Sequence, residues 1–86
     1  MATVKLPRVL HPASRGGLSH EVEGSSLGAA LDHLFAMEPA LRPHLLDEKG
    51  EIRSHVLIFV DGRRAVLRDE VGDHSEIRVL QAASGG

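Results

Sequence analysis

The sequence has no cysteine, tryptophan or tyrosine, and its only phenylalanines are Phe35 and Phe59. Without cysteine the chain cannot form disulfides, thiolate metal sites or iron–sulfur clusters, and it has no cysteine nucleophile. A formal net charge of −2 and two phenylalanines provide neither the basic surface nor the stacking rings that nucleic-acid-binding proteins use. We therefore expect a protein suited to a reducing compartment that does not bind nucleic acid directly.

Long apolar runs are also missing. The longest one, residues 56–60, is far too short to cross a bilayer, and residues 1–7 lack the apolar segment of a signal peptide. These features predict a cytoplasmic protein without membrane contact. Its 86 residues, 42% of them hydrophobic and 26% charged, are typical of one small globular domain, which has no room for the deep cleft of an enzyme.

The first quarter of the chain predicts a β-hairpin. Val4 and Leu6 alternate with polar neighbours inside a strand-like stretch, residues 3–10, in which Pro7 marks a bulge or an unpaired position. A turn-rich connection over residues 11–17 leads to a short return strand over residues 18–22.

The strongest periodic pattern predicts a helix. Ser25 or Ser26 can cap it, and Pro39 ends it because proline disfavours helical geometry at the preceding Glu38. Its apolar residues follow the spacing of one helical face: Leu27, Ala30, Leu31, Leu34 and Phe35. A shorter helical turn over residues 41–46 is compatible with Pro43, because proline is tolerated in a first turn.

The second half predicts three strands. Residues 56–60 are a continuous β-favouring run, and Asp61-Gly62 follows directly as a type I′ hairpin turn. The return strand is expected over residues 63–67, and the last strand over residues 76–80, with Ile77 and Val79 on one face.

The predicted element order is strand, strand, helix, strand, strand, strand. This order is typical of a two-layer α+β protein of the β-grasp (ubiquitin-like) type, with a mixed sheet of about five strands packed on one main helix. Since the helix is the only long crossover, the first and last strands can lie parallel at the centre of the sheet. We assign residues 1–80 to this domain and residues 81–86 to a C-terminal tail.

No catalytic or metal-binding cluster is evident in the sequence. The six histidines are scattered without ligand-like spacing, and no serine lies in a nucleophile-elbow motif. The metal hypothesis is therefore weak, and we expect neither a bound cofactor nor a catalytic residue of the chain's own.

The tail ends in Gly85-Gly86, and two residues without Cβ can pass through a channel too narrow for any side chain. A frayed terminus is the alternative interpretation. The terminal carboxylate is ionised at neutral pH and can attack the phosphorus of ATP. The resulting acyl-adenylate can be opened by a sulfur nucleophile to a thiocarboxylate, which an internal thiol would have intercepted.

With these features the sequence resembles the ThiS/MoaD family of ubiquitin-like sulfur carrier proteins, and the resemblance covers nearly the whole chain. Residues 4–7, 27–35, 56–62, 71–73 and 77–86 carry it. Leu6-Pro7, Leu10, Pro12 and Gly16-Gly17 are further similar to the CysO-like branch, which serves cysteine synthesis. The chain departs from many members of the family at three positions. Those members carry asparagine where this chain has Leu57 and Asp61, and proline where it has Gln81.

The resemblance implies several partners. An E1-like enzyme of the MoeB/ThiF/MoeZ type uses ATP to adenylate the chain end, and a synthase of the ThiG, MoaE or CysM type takes the sulfur, for molybdopterin, thiazole, cysteine, thiosugar or tRNA thiolation. A JAMM-type metalloprotease is a further implied partner. The free protein is expected to be a monomer.

The resemblance also implies roles for individual residues. Gly86 is the reactive end and Gly85 its required neighbour, while the segment threaded into partner sites consists of Gln81, Ala82, Ala83 and Ser84. Two other functions stay open: a ubiquitin-like modifier attached to lysines through Gly86, and a β-grasp adaptor whose tail does no chemistry.

Partner docking is expected on the sheet, because one helix covers only one of its faces. Either Leu57 and Phe59, or the alternate set Val56, Ile58 and Val60, would then form an exposed apolar patch, unless a loop covers it. Arg63, Arg64 and Arg68 are expected to protect a sheet edge, with steering of an acidic partner as the alternative.

Overall fold

A computed structural model describes residues 1–82 of the chain. It contains five strands, two α-helices and two short 3₁₀ helices. In chain order these are β1 (Ala2–Lys5), a 3₁₀ helix (Arg8–Ala13), β2 (Ser19–Val22), α1 (Leu27–Met37), a 3₁₀ helix (Pro39–Leu41), α2 (Arg42–Leu45), β3 (Val56–Val60), β4 (Arg63–Arg64) and β5 (Glu76–Gln81). No helix among these is long and apolar enough to cross a membrane.

The five strands form one mixed sheet in the order β2-β1-β5-β3-β4. β1 and β5 run parallel, with Val4 opposite Ile77, and every other neighbouring pair is antiparallel. The expected arrangement, with the first and last strands parallel in the middle of the sheet, is therefore confirmed. It places β5, the strand that leads into the C-terminal tail, between two partners.

Helix α1 begins and ends where the sequence predicts. The Ser26 hydroxyl caps it by accepting a hydrogen bond from the Ala29 N–H at 3.1 Å, and the helix ends at Glu38, whose N–H donates to the Leu34 carbonyl. The predicted apolar face is buried, and it forms one core with Val4, Ile58 and Ile77 of the strands. Removing each buried leucine of this face from water contributes about 1.5–3 kcal/mol.

The turn between β3 and β4 is the predicted hairpin turn. Asp61 has φ 51° and Gly62 has φ 84°, and type I′ geometry requires positive φ at both central positions. Asp61 also holds the start of β5. Its carboxylate accepts hydrogen bonds from the Ser75 hydroxyl at 2.8 Å and from the Glu76 N–H at 2.9 Å.

The strand predicted over residues 3–10 is wrong beyond Lys5. The chain leaves the sheet after β1, and the stretch Arg8–Ala13, expected as strand and turn, is a 3₁₀ helix that follows Pro7. The apolar pattern at Leu6 and Leu10 reflects burial in the core, since neither residue belongs to a strand. The predicted hairpin is confirmed, because β2 (Ser19–Val22) pairs antiparallel with β1.

The return strand predicted over residues 63–67 is also shorter than expected, because β4 contains only Arg63–Arg64. The backbone beyond it bonds to the start of α1: Gly28 donates to the Leu67 carbonyl and Leu27 to the Asp69 carbonyl, each at 2.9 Å. Since the first turn of a helix has N–H groups without partners inside the helix, this segment satisfies them instead of continuing the sheet.

Candidate functional site

The root of the C-terminal tail lies at the end of the central strand. Gln81 is the last residue of β5 and pairs with Val56, and the Ala82 N–H donates to the His55 carbonyl at 2.8 Å. Gln81 is half-buried and Ala82 is exposed. The first residue of the predicted tail therefore belongs to the sheet, and the second adds one hydrogen bond to it. Ala83, Ser84, Gly85 and Gly86, which include the predicted reactive end, lie outside the described residues.

Backbone pairing fixes the course of β5 up to its last residue. β1 runs alongside it in parallel, with Lys5 opposite Arg78, and β3 runs alongside it antiparallel. The last three residues of β5 pair with β3 alone, so the chain reaches Ala82 along the ladder with that strand.

The sheet face opposite α1 carries an apolar cluster. Because paired residues of neighbouring strands project to the same face, Leu57 lies beside Leu80, and Phe59 lies between Arg78 and Arg64. Leu57 and Phe59 are half-buried and Leu80 is 39% exposed. We call Leu57, Phe59 and Leu80 the apolar patch.

Of the two predicted sets, Leu57 and Phe59 are therefore the exposed one. Val56 and Ile58 belong to the core, each 1% exposed, and Val60 packs against it. The two arginines of β4, for which steering of a partner is the alternative role, separate in the same way. Arg64 pairs with Phe59 and lies on the patch side, whereas Arg63 pairs with Val60 on the side of α1.

A buried polar cluster lies elsewhere in the fold, and sequence reasoning missed it. The Glu38 carboxylate accepts hydrogen bonds from the Arg15 N–H at 2.9 Å and the Gly16 N–H at 2.6 Å. His20 Nε2 lies 2.7 Å from the Ser14 hydroxyl and 3.8 Å from Glu38. A Cβ on Gly16 would come within 2.7 Å of the Glu38 carboxylate, so a larger residue there would have to displace that carboxylate.

The Ser14, His20 and Glu38 cluster is not arranged for catalysis. Ser14 is 1% exposed, so no substrate can reach its hydroxyl. Both Ser14 and Glu38 approach the same histidine nitrogen, whereas a catalytic triad uses one ring nitrogen for each. The cluster instead fastens the loop after the first 3₁₀ helix to the end of α1. No local motif could have revealed it, because its members are brought together only by the fold.

Within residues 1–82, no three histidine, aspartate or glutamate side chains lie close enough together to hold a metal ion. The loop residues Asp47, Glu48 and Glu51 surround a tight turn in which the Asp47 carboxylate accepts from the Lys49 and Glu51 N–H groups at 2.8 and 3.0 Å. The carboxylate of Asp47 thus serves to shape its own loop.

Comparison with known proteins places these features in context. No protein-family model matches the sequence. The small archaeal modifier protein 1 of Haloferax volcanii is 30% identical over 67 residues, which are 77% of each chain. The crystal structure of CysO from Mycobacterium tuberculosis is 26% identical and has a TM-score of 0.88, over 96% of this chain and 100% of that one.

A third neighbour is the crystal structure of the BexX/CysO complex from Amycolatopsis orientalis, with a TM-score of 0.90, 22% identity and full coverage of both chains. At that identity the likeness concerns the fold alone. Together these neighbours confirm the predicted β-grasp architecture.

Proposed function

The chain belongs to the ThiS/MoaD-like family of small ubiquitin-like sulfur carriers and modifiers, and we propose that it works as a sulfur carrier whose reactive group is the Gly86 carboxylate. Its relatives are small carrier or modifier proteins. The observation that supports the proposal most is the position of the diglycine end. It comes after the central strand of the sheet, which pairs with β1 through Arg78 and with β3 through Gln81.

The proposed chemistry takes place in two steps. An oxygen of the Gly86 carboxylate attacks the α-phosphorus of ATP in an E1-like enzyme, and pyrophosphate leaves. A hydrosulfide-level sulfur donor then attacks the acyl carbon of the adenylate, AMP leaves and a thiocarboxylate remains. The chain supplies no acid, base or metal to either step, so its contribution is to present the carboxylate and to be recognised.

Recognition is assigned to the apolar patch of Leu57, Phe59 and Leu80. An apolar cluster bordered by Arg64 and Arg78 has the composition of a protein interface, in which a desolvated apolar centre is surrounded by charged residues. The patch also includes Leu80, one residue before the last residue of β5. An activating enzyme bound there would have the tail beside its contact surface, and a sulfur-accepting synthase would use the same arrangement in turn.

Intact-mass analysis tests the proposal. The purified chain is incubated with the E1-like enzymes of its own organism, ATP and a sulfide source, and we expect a mass increase equal to one oxygen-to-sulfur exchange, located at Gly86 by fragmentation. A chain that ends at Ser84 serves as the control and should remain unmodified. Absence of the exchange with every such enzyme would contradict the proposal.

A second function, attachment to lysines of other proteins through Gly86, is favoured by the 30% identity to a protein named as a modifier. It predicts conjugates that survive denaturants and that contain an isopeptide bond from Gly86 to a lysine. Affinity purification of a tagged chain under denaturing conditions distinguishes this function, since a thiocarboxylate carrier alone leaves no such adducts.

A further inference from the structure

A groove of about 550 Å³ lies at the β4 edge of the sheet, next to the core residues Val56 and Ile58, and its lining does not include Leu57, Phe59 or Leu80. Residues 51–54 form one wall and residues 64–68 the other. The apolar part of its lining includes Val56 and Ile58 of β3 and the exposed side chain of Val66, which is 49% accessible. Nothing in the proposed sulfur chemistry uses this surface.

The groove is positively charged although the chain as a whole carries a net charge of −2. Its lining contains Arg53, Arg64 and Arg68 and one acidic residue, Glu51. The Arg53 side chain is held in place because its Nε donates to the Pro43 carbonyl at 2.7 Å. Between residues 1 and 82, no carboxylate lies within 4.0 Å of any of these three guanidinium groups.

The carboxylates that approach a basic side chain in the described residues lie elsewhere. Glu76 pairs with Arg78 on the open face of the sheet, and the Glu38 carboxylate lies 3.8 Å from His20 Nε2. Edge protection accounts for one or two charges along a strand, but β4 has only two residues, and Arg53 and Arg68 lie outside it. The three arginines are therefore better explained by a ligand that fits between the walls.

We propose that this groove binds an extended acidic peptide segment of a partner protein, one in which carboxylate side chains alternate with apolar ones. Guanidinium groups form bidentate hydrogen bonds with carboxylates, and the apolar lining receives the alternate side chains. A nucleic acid is a poorer fit because the groove has no aromatic ring on which bases could stack.

The groove and the apolar patch are separate surfaces that meet at β4. Arg64 lines the groove and also pairs with Phe59 of the patch. A partner that docks on the patch could therefore extend an acidic segment around the sheet edge into the groove. The inference does not depend on the reactivity of Gly86, because it concerns binding to the folded domain alone.

A peptide titration of the full-length chain tests the inference. The labelled peptide alternates glutamate and valine and is about ten residues long, so that it spans the groove in extended form. Fluorescence anisotropy measures the affinity, and amide chemical shifts locate the site. We expect shifts concentrated in residues 51–54 and 64–68, and binding that weakens as salt is raised because exposed charge pairs are screened. Neither ATP nor an activating enzyme is present, so failure of the sulfur chemistry would leave the result unaffected.

Arg68→Glu should weaken the binding by about tenfold, because it replaces an attraction by a repulsion. Arg15→Glu is the matched control, since it makes the same change of charge at an exposed arginine outside the groove and should have little effect. A peptide with serine in place of valine should also bind more weakly. The amide spectrum of each variant verifies that it is folded.

Three outcomes would overturn the inference: no binding of the glutamate–valine peptide at low salt, shifts centred on the apolar patch, or equal losses for Arg68→Glu and Arg15→Glu. The last would show attraction to the arginine content of the chain rather than to the groove.

Discussion

The two ends of β5 are held in different ways. At its first residue, Glu76, side chains secure the strand: the Asp61 carboxylate binds the Ser75 hydroxyl and the Glu76 N–H, and the Ser75 hydroxyl accepts from the Gly72 N–H. At its last residue, Gln81, the contacts are backbone pairs with β3 and the hydrogen bond from the Ala82 N–H to the His55 carbonyl. One end is fastened to the fold, and the other leads into the diglycine.

The difference shows how one strand can serve both stability and chemistry. The fastened end and the core residues Ile77 and Val79 define where β5 lies. The other end leads through Ala82 to the diglycine, the group that we propose is presented to a partner. One truncation and three sets of substitutions test this division, beginning with the largest expected effect.

Removal of Gly85 and Gly86 should abolish thiocarboxylate formation completely while leaving the thermal unfolding midpoint unchanged. The truncated chain retains every contact described for β5, because these end at Ala82. Mass spectrometry and calorimetry measure the two effects. A lower unfolding midpoint would show that the diglycine also contributes to the fold, and the division between the ends would then be wrong.

Ile77→Ala should lower the free energy of unfolding by about 2–5 kcal/mol, because it leaves a cavity at a fully buried position. Leu80→Ala, on the same strand but in the apolar patch, should cost less than about 1 kcal/mol, because 39% of that side chain is exposed. Urea unfolding compares the two. Similar losses would mean that both faces of β5 are buried in solution.

Phe59→Ser should raise the KM of adenylation by about tenfold with little change in kcat, because it removes an apolar contact made equally before and during the reaction. Met37→Ser is the control, since Met37 is 44% exposed and lies on α1, on the other side of the sheet. Steady-state kinetics with the activating enzyme measure both. An equal effect of the control would place docking outside the patch.

The smallest effect concerns the fastened end of β5. Hydrogen bonds from the Glu76 N–H and then from the Ser75 hydroxyl hold the pKa of the Asp61 carboxyl below its ordinary value of 3.8. A carboxyl whose pKa is lower in the folded state stabilises the fold above its unfolded pKa. That contribution is lost as the pH falls from 3.8 through the lower folded value.

Asp61→Asn should therefore flatten the acid side of the stability–pH curve, with the wild-type losing more stability than the variant as the pH falls through this range. Asparagine tolerates positive φ, so the turn geometry is kept. Urea unfolding midpoints at a series of pH values provide the comparison. A wild-type curve that parallels the variant would show that the carboxylate does not secure β5.

Local patterns predicted the parts of the fold that depend on neighbours in the sequence. The cap at Ser26, the stop before Pro39 and the turn at Asp61-Gly62 each follow from the conformational limits of one or two residues. The burial of Ile77 and Val79 follows from alternation along a strand.

The errors arose where distant contacts override local preference. Leu6 and Leu10 continue an apolar pattern, but Pro7 cannot donate to a sheet ladder, and the chain turns into a 3₁₀ helix whose Leu10 still reaches the core. The predicted strand after Arg64 gave way because the first turn of α1 requires hydrogen-bond acceptors, which Leu67 and Asp69 supply.

By itself, the sequence determined the helix, the hairpin turn, the strand that precedes the diglycine and the absence of cysteine chemistry, since each is a property of residue type or short-range spacing. Tertiary structure alone decided which apolar set of β3 is exposed, that Arg63 and Arg64 lie on opposite sides of the sheet, and that Ser14, His20 and Glu38 form one buried cluster. Register and long-range packing determine those arrangements, because a shift of one residue in strand pairing would exchange the two faces of the sheet.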